Sequence, residues 1–392
     1  MKLNSMCFGQ LLCLGGLMVP SLAMAMTPEQ EISQIETPAI EENQPVKLDL
    51  DSIQDPFLEE WFFGEPSLID IENTEESEHA ISEDGSNKQN TDEETFEDSS
   101  ESKKKETNTD QDTLDITGRA EPPMWRLSDD DSEIWLLGTF HILPPDLDWR
   151  SNPLAHAIDN AETIFFEAEV DAPETETVTR NALITEGFLP KGETLSGLLE
   201  PDEVAKLQAV TTEIGVPFEA FDRMRPWQAF LAASVQFIVT QGFDPGSGVE
   251  SVLLKEARFR DRKLEFFETV EQQLLLFTSL PPDVELDLLK ITLRDWDNQD
   301  KQFSLLFNAW RNGDAETIDE LMNDSMRDQA PEVYDTLIKH RNEVWVDRIE
   351  TVMAGKGRVL IAVGAGHLVG DDSVPSLLIS KGFEVERYGV GK

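Results

Sequence analysis

The chain has few cysteines, and their positions exclude several kinds of chemistry. Cys7 and Cys13 are the only two among 392 residues. The chain beyond them therefore carries no thiol. This excludes disulfide bridges, cysteine-ligated zinc and a cysteine nucleophile in that part of the protein.

Basic residues are also scarce. The chain has 32 Lys and Arg against 78 Asp and Glu, which gives a formal net charge of −46. Nucleic-acid binding needs clustered Lys and Arg to neutralise phosphates, so this class of function is excluded. The hydrophobic share of 39% lies below the roughly 45–50% of a typical globular domain. Part of the chain is therefore expected to lack a core.

Long apolar runs are absent after the N-terminus. Residues 6–22 form an uncharged apolar run behind Lys2, and Ala23-Met24-Ala25 then supplies the small-x-small pattern of a signal-peptidase site. This predicts a signal peptide over residues 1–25, cleaved after Ala25, and a periplasmic or secreted mature protein without a transmembrane segment. A retained membrane anchor is the alternative.

Residues 26–118 hold half of the surplus acid of the chain. They contain 28 Asp and Glu against 5 Lys and Arg. Such a segment buries too little apolar surface to offset its chain entropy, so it is predicted to be an acidic disordered tether. One aromatic island at residues 56–63 interrupts it. The island is either a docking motif or a segment that folds back onto the domain.

Residues 119–392 have the composition of a globular domain. The alternation of apolar runs and helical spacings predicts an α/β fold. In it, a mixed β-sheet is formed from N- and C-terminal β-α-β segments, with a mostly helical insertion between them. Strands are predicted at residues 133–138, 163–170, 262–267, 358–363 and 383–388. A helix is predicted at residues 153–160, a long one at 332–353, and a last one from Ser373.

One motif occurs twice, each time after a strand. Gly138-Thr139-Phe140-His141 follows the first apolar run, and Gly364-Ala365-Gly366-His367 follows a later one. Active sites of α/β proteins lie beyond the strand ends. If the two strands lie near each other in one sheet, both imidazoles emerge at the same edge.

A carboxylate completes this candidate site. Glu167 and Glu169 share one face of their predicted strand, because side chains alternate with a period of two. Two histidines and one carboxylate with open positions form a metal site that holds water and makes hydroxide available near neutral pH. A second carboxylate then accepts the proton.

Two other interpretations of these residues remain open. In the first, the histidines are ordinary loop residues, the glutamate belongs to an edge strand, and no metal binds. In the second, the glycines of residues 364–370 form a dinucleotide-binding loop. Asp371 and Asp372 speak against this loop, because they place negative charge where a pyrophosphate would lie.

Together these motifs resemble the TraB/GumN family. That family is related to the Tiki metalloproteases, and more distantly to the erythromycin-esterase and ChaN-like proteins. The resemblance covers about residues 122–390. Besides both G-x-x-H motifs, it rests on Trp125, Phe166-Glu167, Pro226-Trp227, Gly248-Val249-Glu250, residues 267–273 and Arg341-Asn342. Glu250 stands where relatives usually carry Asp.

The resemblance implies a metal-dependent, peptidase-like hydrolase. Carried over to this chain, the metal ligands are His141, Glu167 and His367. Glu268 and Arg341 are weaker catalytic candidates beside Glu167 and Glu169. The ion is a divalent metal (manganese, cobalt and zinc are not distinguished), no organic cofactor is implied, and the substrate is a peptide or small molecule. A different class of function is a non-catalytic binding or regulatory module that uses the same cleft for a peptide or polysaccharide.

Overall fold

A six-stranded mixed sheet runs through residues 118–389, the part of the chain that the computed structural model describes. Its strands are β1 (Met124–Ser128), β2 (Ser132–Thr139), β3 (Thr163–Ala168), β4 (Lys263–Glu268), β5 (Gly357–Gly364) and β6 (Val385–Arg387). Their order across the sheet is β4-β3-β5-β2-β1-β6. β2, β3, β4 and β5 are parallel to one another, and β1 is antiparallel to both of its neighbours.

The central strands are nearly continuous apolar runs. β5 lies between β3 and β2, and its residues from Val359 to Gly364 are buried. Burial on both faces is typical of a parallel strand that is covered on each side. β2 pairs with β5 in register up to Thr139 opposite Gly364. The two G-x-x-H segments therefore leave the sheet side by side at its C-terminal edge.

Helices make up most of the remaining chain. They are α1 (Asn152–Asn160), α2 (Pro173–Glu186), α3 (Pro201–Glu213), α4 (Phe218–Phe221), α5 (Pro226–Thr240), α6 (Val249–Phe259), α7 (Val270–Thr278), α8 (Pro282–Asp295), α9 (Gln299–Arg311), α10 (Ala315–Ile318), α11 (Ser325–Gln329), α12 (Pro331–Tyr334), α13 (His340–Met353) and α14 (Val374–Ser380). π-helical turns at Asp319–Asp324 and Asp335–Lys339 join α10 to α11 and α12 to α13. Short 3₁₀ turns lie at Leu195–Gly197, Pro245–Ser247, Trp296–Asn298 and Ala365–Leu368.

An aromatic cluster anchors the end of β2. Phe140 is fully buried, and its ring centroid lies 5.4 Å from that of Trp310 on α9 and 5.8 Å from that of Phe307. The indole N–H of Trp310 donates to the carbonyl oxygen of Gly138 at 2.9 Å. Because this indole finds a partner inside the core, the chain leading to His141 is fixed by both packing and a hydrogen bond.

The predicted α/β fold is confirmed, with differences at the ends of elements. β1 was not predicted, because Met124–Ser128 is short and lacks a long apolar run. The last strand covers only residues 385–387, and the predicted long helix at 332–353 contains a π-helical turn. β4 is a strand within the helical insertion, and it forms one edge of the sheet.

The predictions for the N-terminal part of the chain lie outside the described residues. They are the signal peptide over residues 1–25, the acidic tether up to residue 117 and the aromatic island at 56–63. Within residues 118–389, no helix combines the length and the apolar character needed to cross a bilayer.

Candidate functional site

The C-terminal ends of three adjacent parallel strands carry the candidate site. His141 comes two residues after β2, Glu167 is the penultimate residue of β3, and His367 lies in the 3₁₀ turn that follows β5. All three side chains are buried, with at most 2% of their surface exposed. The strand order explains how residues distant in sequence meet at one edge.

Helix α6 begins against the backbone of the first G-x-x-H segment. Val249 N–H donates to the carbonyl oxygen of Phe140 at 3.1 Å. A Cβ atom on Gly248 would lie only 1.9 Å from the carbonyl oxygen of His141. Only glycine permits this approach. The contact brings Glu250, in the first turn of α6, to the imidazole of His141.

His141 and Glu250 form a buried, incompletely bonded pair. Nδ1 of His141 lies 3.0 Å from Oε2 of Glu250, and each side chain is 2% exposed. By strict geometric criteria, Oε2 of Glu250 and both ring nitrogens of His141 have no hydrogen-bond partner among the described residues. The other carboxylate oxygen of Glu250 accepts from the hydroxyl of Thr139. Burial acts to lower the pKa of His141, but Glu250 and Glu167 outweigh it and raise the pKa above its ordinary value.

Glu167 is held on both carboxylate oxygens. Oε1 accepts from the backbone N–H of Gly364 at 2.8 Å, and Oε2 accepts from Arg341 at 2.6 Å and from the amide of Gln273 at 3.2 Å. Burial acts to raise the pKa of Glu167. Arg341, His367 and His141 outweigh this effect and lower the pKa to about 2. Glu167 is therefore ionised at neutral pH although it is buried.

Arg341 supplies a fixed positive charge inside the site. Besides Glu167, it binds Glu268 through two hydrogen bonds of 2.8 and 2.9 Å, and it donates to the carbonyl oxygen of Leu337 at 3.0 Å. Burial acts to lower the pKa of Arg341, but Glu268 and Glu167 raise it above its ordinary value. The guanidinium thus compensates two carboxylates, one of them fully buried.

The hydrogen bonds of His367 define its tautomer. The amide nitrogen of Asn342 donates to the carbonyl oxygen of Asp372 at 2.8 Å, so its amide oxygen faces Nδ1 of His367 at 2.6 Å. Nδ1 therefore carries the proton. Nε2 accepts from Arg341 at 3.0 Å. In this arrangement the guanidinium occupies the lone pair of Nε2.

One group of residues in the described part of the chain has the composition and spacing of a metal site. His141, Glu167 and Glu250 each offer one ligand atom, and these atoms lie within 4.8 Å of one another. His367 lies beside this group, with its Nε2 3.9 Å from Oε1 of Glu167. It would have to release Arg341 to join the group as a ligand.

The structure brings together most of the predicted site residues. Glu268 ends β4, is 13% exposed, and binds Arg341, Gln273 and the indole of Trp345. Glu169 lies outside this group of residues. β3 ends at Ala168, so the two-residue alternation no longer holds at Glu169, which is 44% exposed and pairs with Arg258 at 2.5 Å.

Three residues of the site were not among the predicted site residues. Glu250, Gln273 and Asn342 lie in segments that carry the family resemblance, but their local patterns indicate no chemistry. A glutamate in the first turn of a helix usually complements the helix dipole, so Glu250 gave no separate signal. Gly248, two residues earlier, is the sequence feature that could have indicated a close approach of the backbone.

The profile of the TraB/PrgY/gumN family matches residues 123–387. The chain belongs to this family. The predicted resemblance is thereby confirmed over the part of the chain that holds the sheet, the helical insertion and the candidate site.

Two relatives in this family carry the name uncharacterized protein YbaP, one from Escherichia coli strain K12 and one from Shigella flexneri. Each is 25% identical to this chain over 243 residues, which cover 62% of this chain and 86% of the relative. No solved structure matches the chain.

Proposed function

We propose that this chain is a metal-dependent hydrolase of peptide or amide bonds that acts outside the cytoplasm. The observation that carries the proposal is the buried group of His141, Glu167 and Glu250. Nδ1 of His141 lies 3.0 Å from Oε2 of Glu250, and neither atom has a hydrogen-bond partner by strict geometric criteria among the described residues. Buried polar atoms are normally paired. A cation between them would satisfy both.

The donor set fits a divalent ion. One imidazole and two carboxylates suit manganese, cobalt and zinc, so these residues would hold any of the three. When bound, such an ion supplies a Lewis acid that lowers the pKa of a water molecule toward neutrality. The export pattern of residues 1–25 supports a location in the periplasm or outside the cell.

The chain's own residues prepare this site. The Thr139 hydroxyl and the backbone N–H of Gly364 orient the carboxylates of Glu250 and Glu167. Arg341 keeps Glu167 ionised, so this ligand needs no deprotonation before an ion binds. Indirect support of this kind fixes the direction of ligand atoms in metal sites.

We assign proton transfer to Glu268. It is less buried than the carboxylates of the metal group, and it also lines an open cleft of about 500 Å³. A carboxylate at this boundary can accept a proton from water and pass it to a leaving amine. For Glu268 this step requires the release of one of its present donors, Arg341, Gln273 or Trp345. Arg341 uses its donors on two carboxylates, a carbonyl and His367, so we assign it a positioning role.

Metal analysis of the full chain tests the proposal. The chelated protein is reloaded with one metal at a time, and bound metal is measured by mass spectrometry. The wild type should hold about one ion per chain, and His141→Ala and Glu250→Gln should hold almost none. His156→Ala, at an exposed histidine on α1, is the matched control and should bind like the wild type. Equal metal in His141→Ala and the control contradicts the proposal.

The network around Arg341 favours a second candidate, a binding module without catalysis. The guanidinium already satisfies Glu167, Glu268 and His367 without an ion. A domain of this kind needs no metal to balance its buried charge. Peptide digestion followed by mass spectrometry separates the candidates, because a metal-loaded chain that cleaves no peptide supports the binding module.

A further inference from the structure

We infer that the free edge of β4 binds a basic peptide segment in extended conformation, and that this segment leads into the candidate site. The inference rests on the proposed function, because it specifies the substrate class and where the substrate lies. β4 is the terminal strand of the sheet, and within residues 118–389 only β3 pairs with it. An unpaired strand edge offers a row of backbone donors and acceptors to an added strand.

A groove follows this edge from Leu264 to Glu268, which is all of the strand except Lys263 at its start. The open cleft of about 500 Å³ is lined by β4 from Leu264 to Glu268, by the start of α2 and by the start of α7. The six residues of the strand span roughly 20 Å at about 3.3 Å per residue. Leu264 and Phe266 are half-buried in this lining, so they offer apolar contacts to alternate side chains of a bound strand.

The charge of the groove selects a basic occupant. The lining contains five glutamates and neither lysine nor arginine; the five are Glu169, Glu174, Glu265, Glu268 and Glu271. Arg258, Arg348 and Arg341 neutralise three of them, and Lys263 at the start of β4 also pairs with Glu265. Glu174 and Glu271 are exposed and have no ion-pair partner in the described part of the chain. The acidic residues 26–117 have the same sign of charge, so this segment is a poor occupant.

The inner end of the groove meets the candidate site. The Gln273 amide nitrogen binds both Glu268, which lines the groove, and Glu167, which belongs to the metal group. The buried amide oxygen of Gln273 has no hydrogen-bond partner among the described residues. Gln273 is itself buried and does not line the groove, so it connects the groove to the site through Glu268. A strand bound along β4 therefore ends at Glu268, to which we assign proton transfer. Arg348 binds the Phe266 carbonyl, and an added strand would have to share or displace that contact.

The probe for this inference is a capped twelve-residue peptide of alternating lysine and valine, and affinity is measured by calorimetry on the full chain. Two control peptides isolate the contributions to binding. One replaces every lysine by glutamate, and the other carries N-methyl groups on alternate backbone nitrogens, which prevents pairing along one edge. Chelator is present throughout, so binding is measured without turnover.

The basic peptide should bind at least ten times more tightly than either control peptide. Charge reversal of the groove by Glu174→Lys with Glu271→Lys should weaken this binding by at least tenfold. Glu219→Lys with Glu343→Lys makes the same charge change at exposed residues outside the lining, and it should weaken binding less than threefold. Hydrogen exchange of residues 263–268 should slow when the peptide binds.

Several outcomes overturn the inference. They are equal loss of affinity in both double variants, equal binding of the N-methylated peptide, and unchanged exchange in residues 263–268. The hydrolase proposal fails separately. If the peptide binds the groove but the metal-loaded chain never cleaves it, the hydrolase proposal is refuted and the groove inference stands. If peptides are cleaved equally well by the wild type and the groove variants, the groove inference is refuted and the hydrolase proposal stands.

Discussion

Replacing Arg341 by methionine tests whether a fixed cation holds the buried acidic centre together. Arg341→Met keeps an unbranched flexible side chain, although a shorter one, and removes the partner of Glu167 and Glu268. Removal of one partner of a buried ion pair costs about 3–5 kcal/mol, because the other charge remains buried. The loss of unfolding free energy at pH 7 should therefore fall in that range.

The pKa of Glu167 gives the direction of the pH dependence. Its value of about 2 lies below the ordinary 4.5, as the net result of burial, which raises it, and of Arg341, both histidines and the Gly364 N–H, which lower it. A lowered pKa contributes stability above the unfolded value of 4.5, and that stability is lost as the pH falls from 4.5 toward 2. Without Arg341, burial raises the pKa of Glu167. The carboxyl of the variant is then already protonated at low pH, so the variant loses no further stability there as the pH falls. The destabilisation by Arg341→Met should thus shrink below about pH 4.

Urea unfolding of the full chain, followed by tryptophan fluorescence in the presence of chelator, measures both effects. Arg358→Met is the matched control, because Arg358 is 46% exposed and pairs with Glu162, which is 59% exposed. A surface pair of this kind contributes at most about 1 kcal/mol. The reasoning is refuted if Arg341→Met costs no more than the control at pH 7, or if its cost is the same at pH 7 and pH 3.5.

Two further predictions concern His141 and its neighbours. Gly248→Ala places a methyl group against the His141 carbonyl, so it should cost about 1–3 kcal/mol in urea unfolding and weaken metal binding by displacing Glu250. Gly197→Ala is its control, since the nearest atom to a Cβ there lies 3.4 Å away, and equal effects of the two would contradict the assigned contact. Because the pKa of His141 is raised above 6.5, chiefly by Glu250 against the effect of burial, an ion must displace a proton from the imidazole. Metal affinity in calorimetry should therefore rise steadily from pH 6 to pH 8, and an affinity that stays flat over this range would show that His141 is not a ligand.

Much of the fold followed from the sequence for identifiable physical reasons. β2 and β5 are apolar runs that end at glycine, and parallel central strands have this composition. Both G-x-x-H segments could be placed at one edge because strands of this type run side by side in α/β sheets. β1 has five residues and one exposed end, so its pattern does not separate it from a loop.

The partners of the site residues depended on contacts that no local pattern encodes. Glu250 meets His141 because Gly248 packs on the histidine backbone, across 107 positions of sequence. The sequence placed Arg341 near the site but not between two carboxylates. Glu169 illustrates the limit of strand periodicity, which holds only while the strand continues, and β3 ends one residue earlier.

The guanidinium of Arg341 has a consequence for how this protein is made. The positive charge that balances Glu167 and Glu268 is covalently part of the chain, so the acidic centre can reach its final shape before any ion arrives. If the site holds the ion that we propose, folding does not depend on the supply of that ion. A cell starved of divalent metals would then still accumulate folded copies and load them when the metals return.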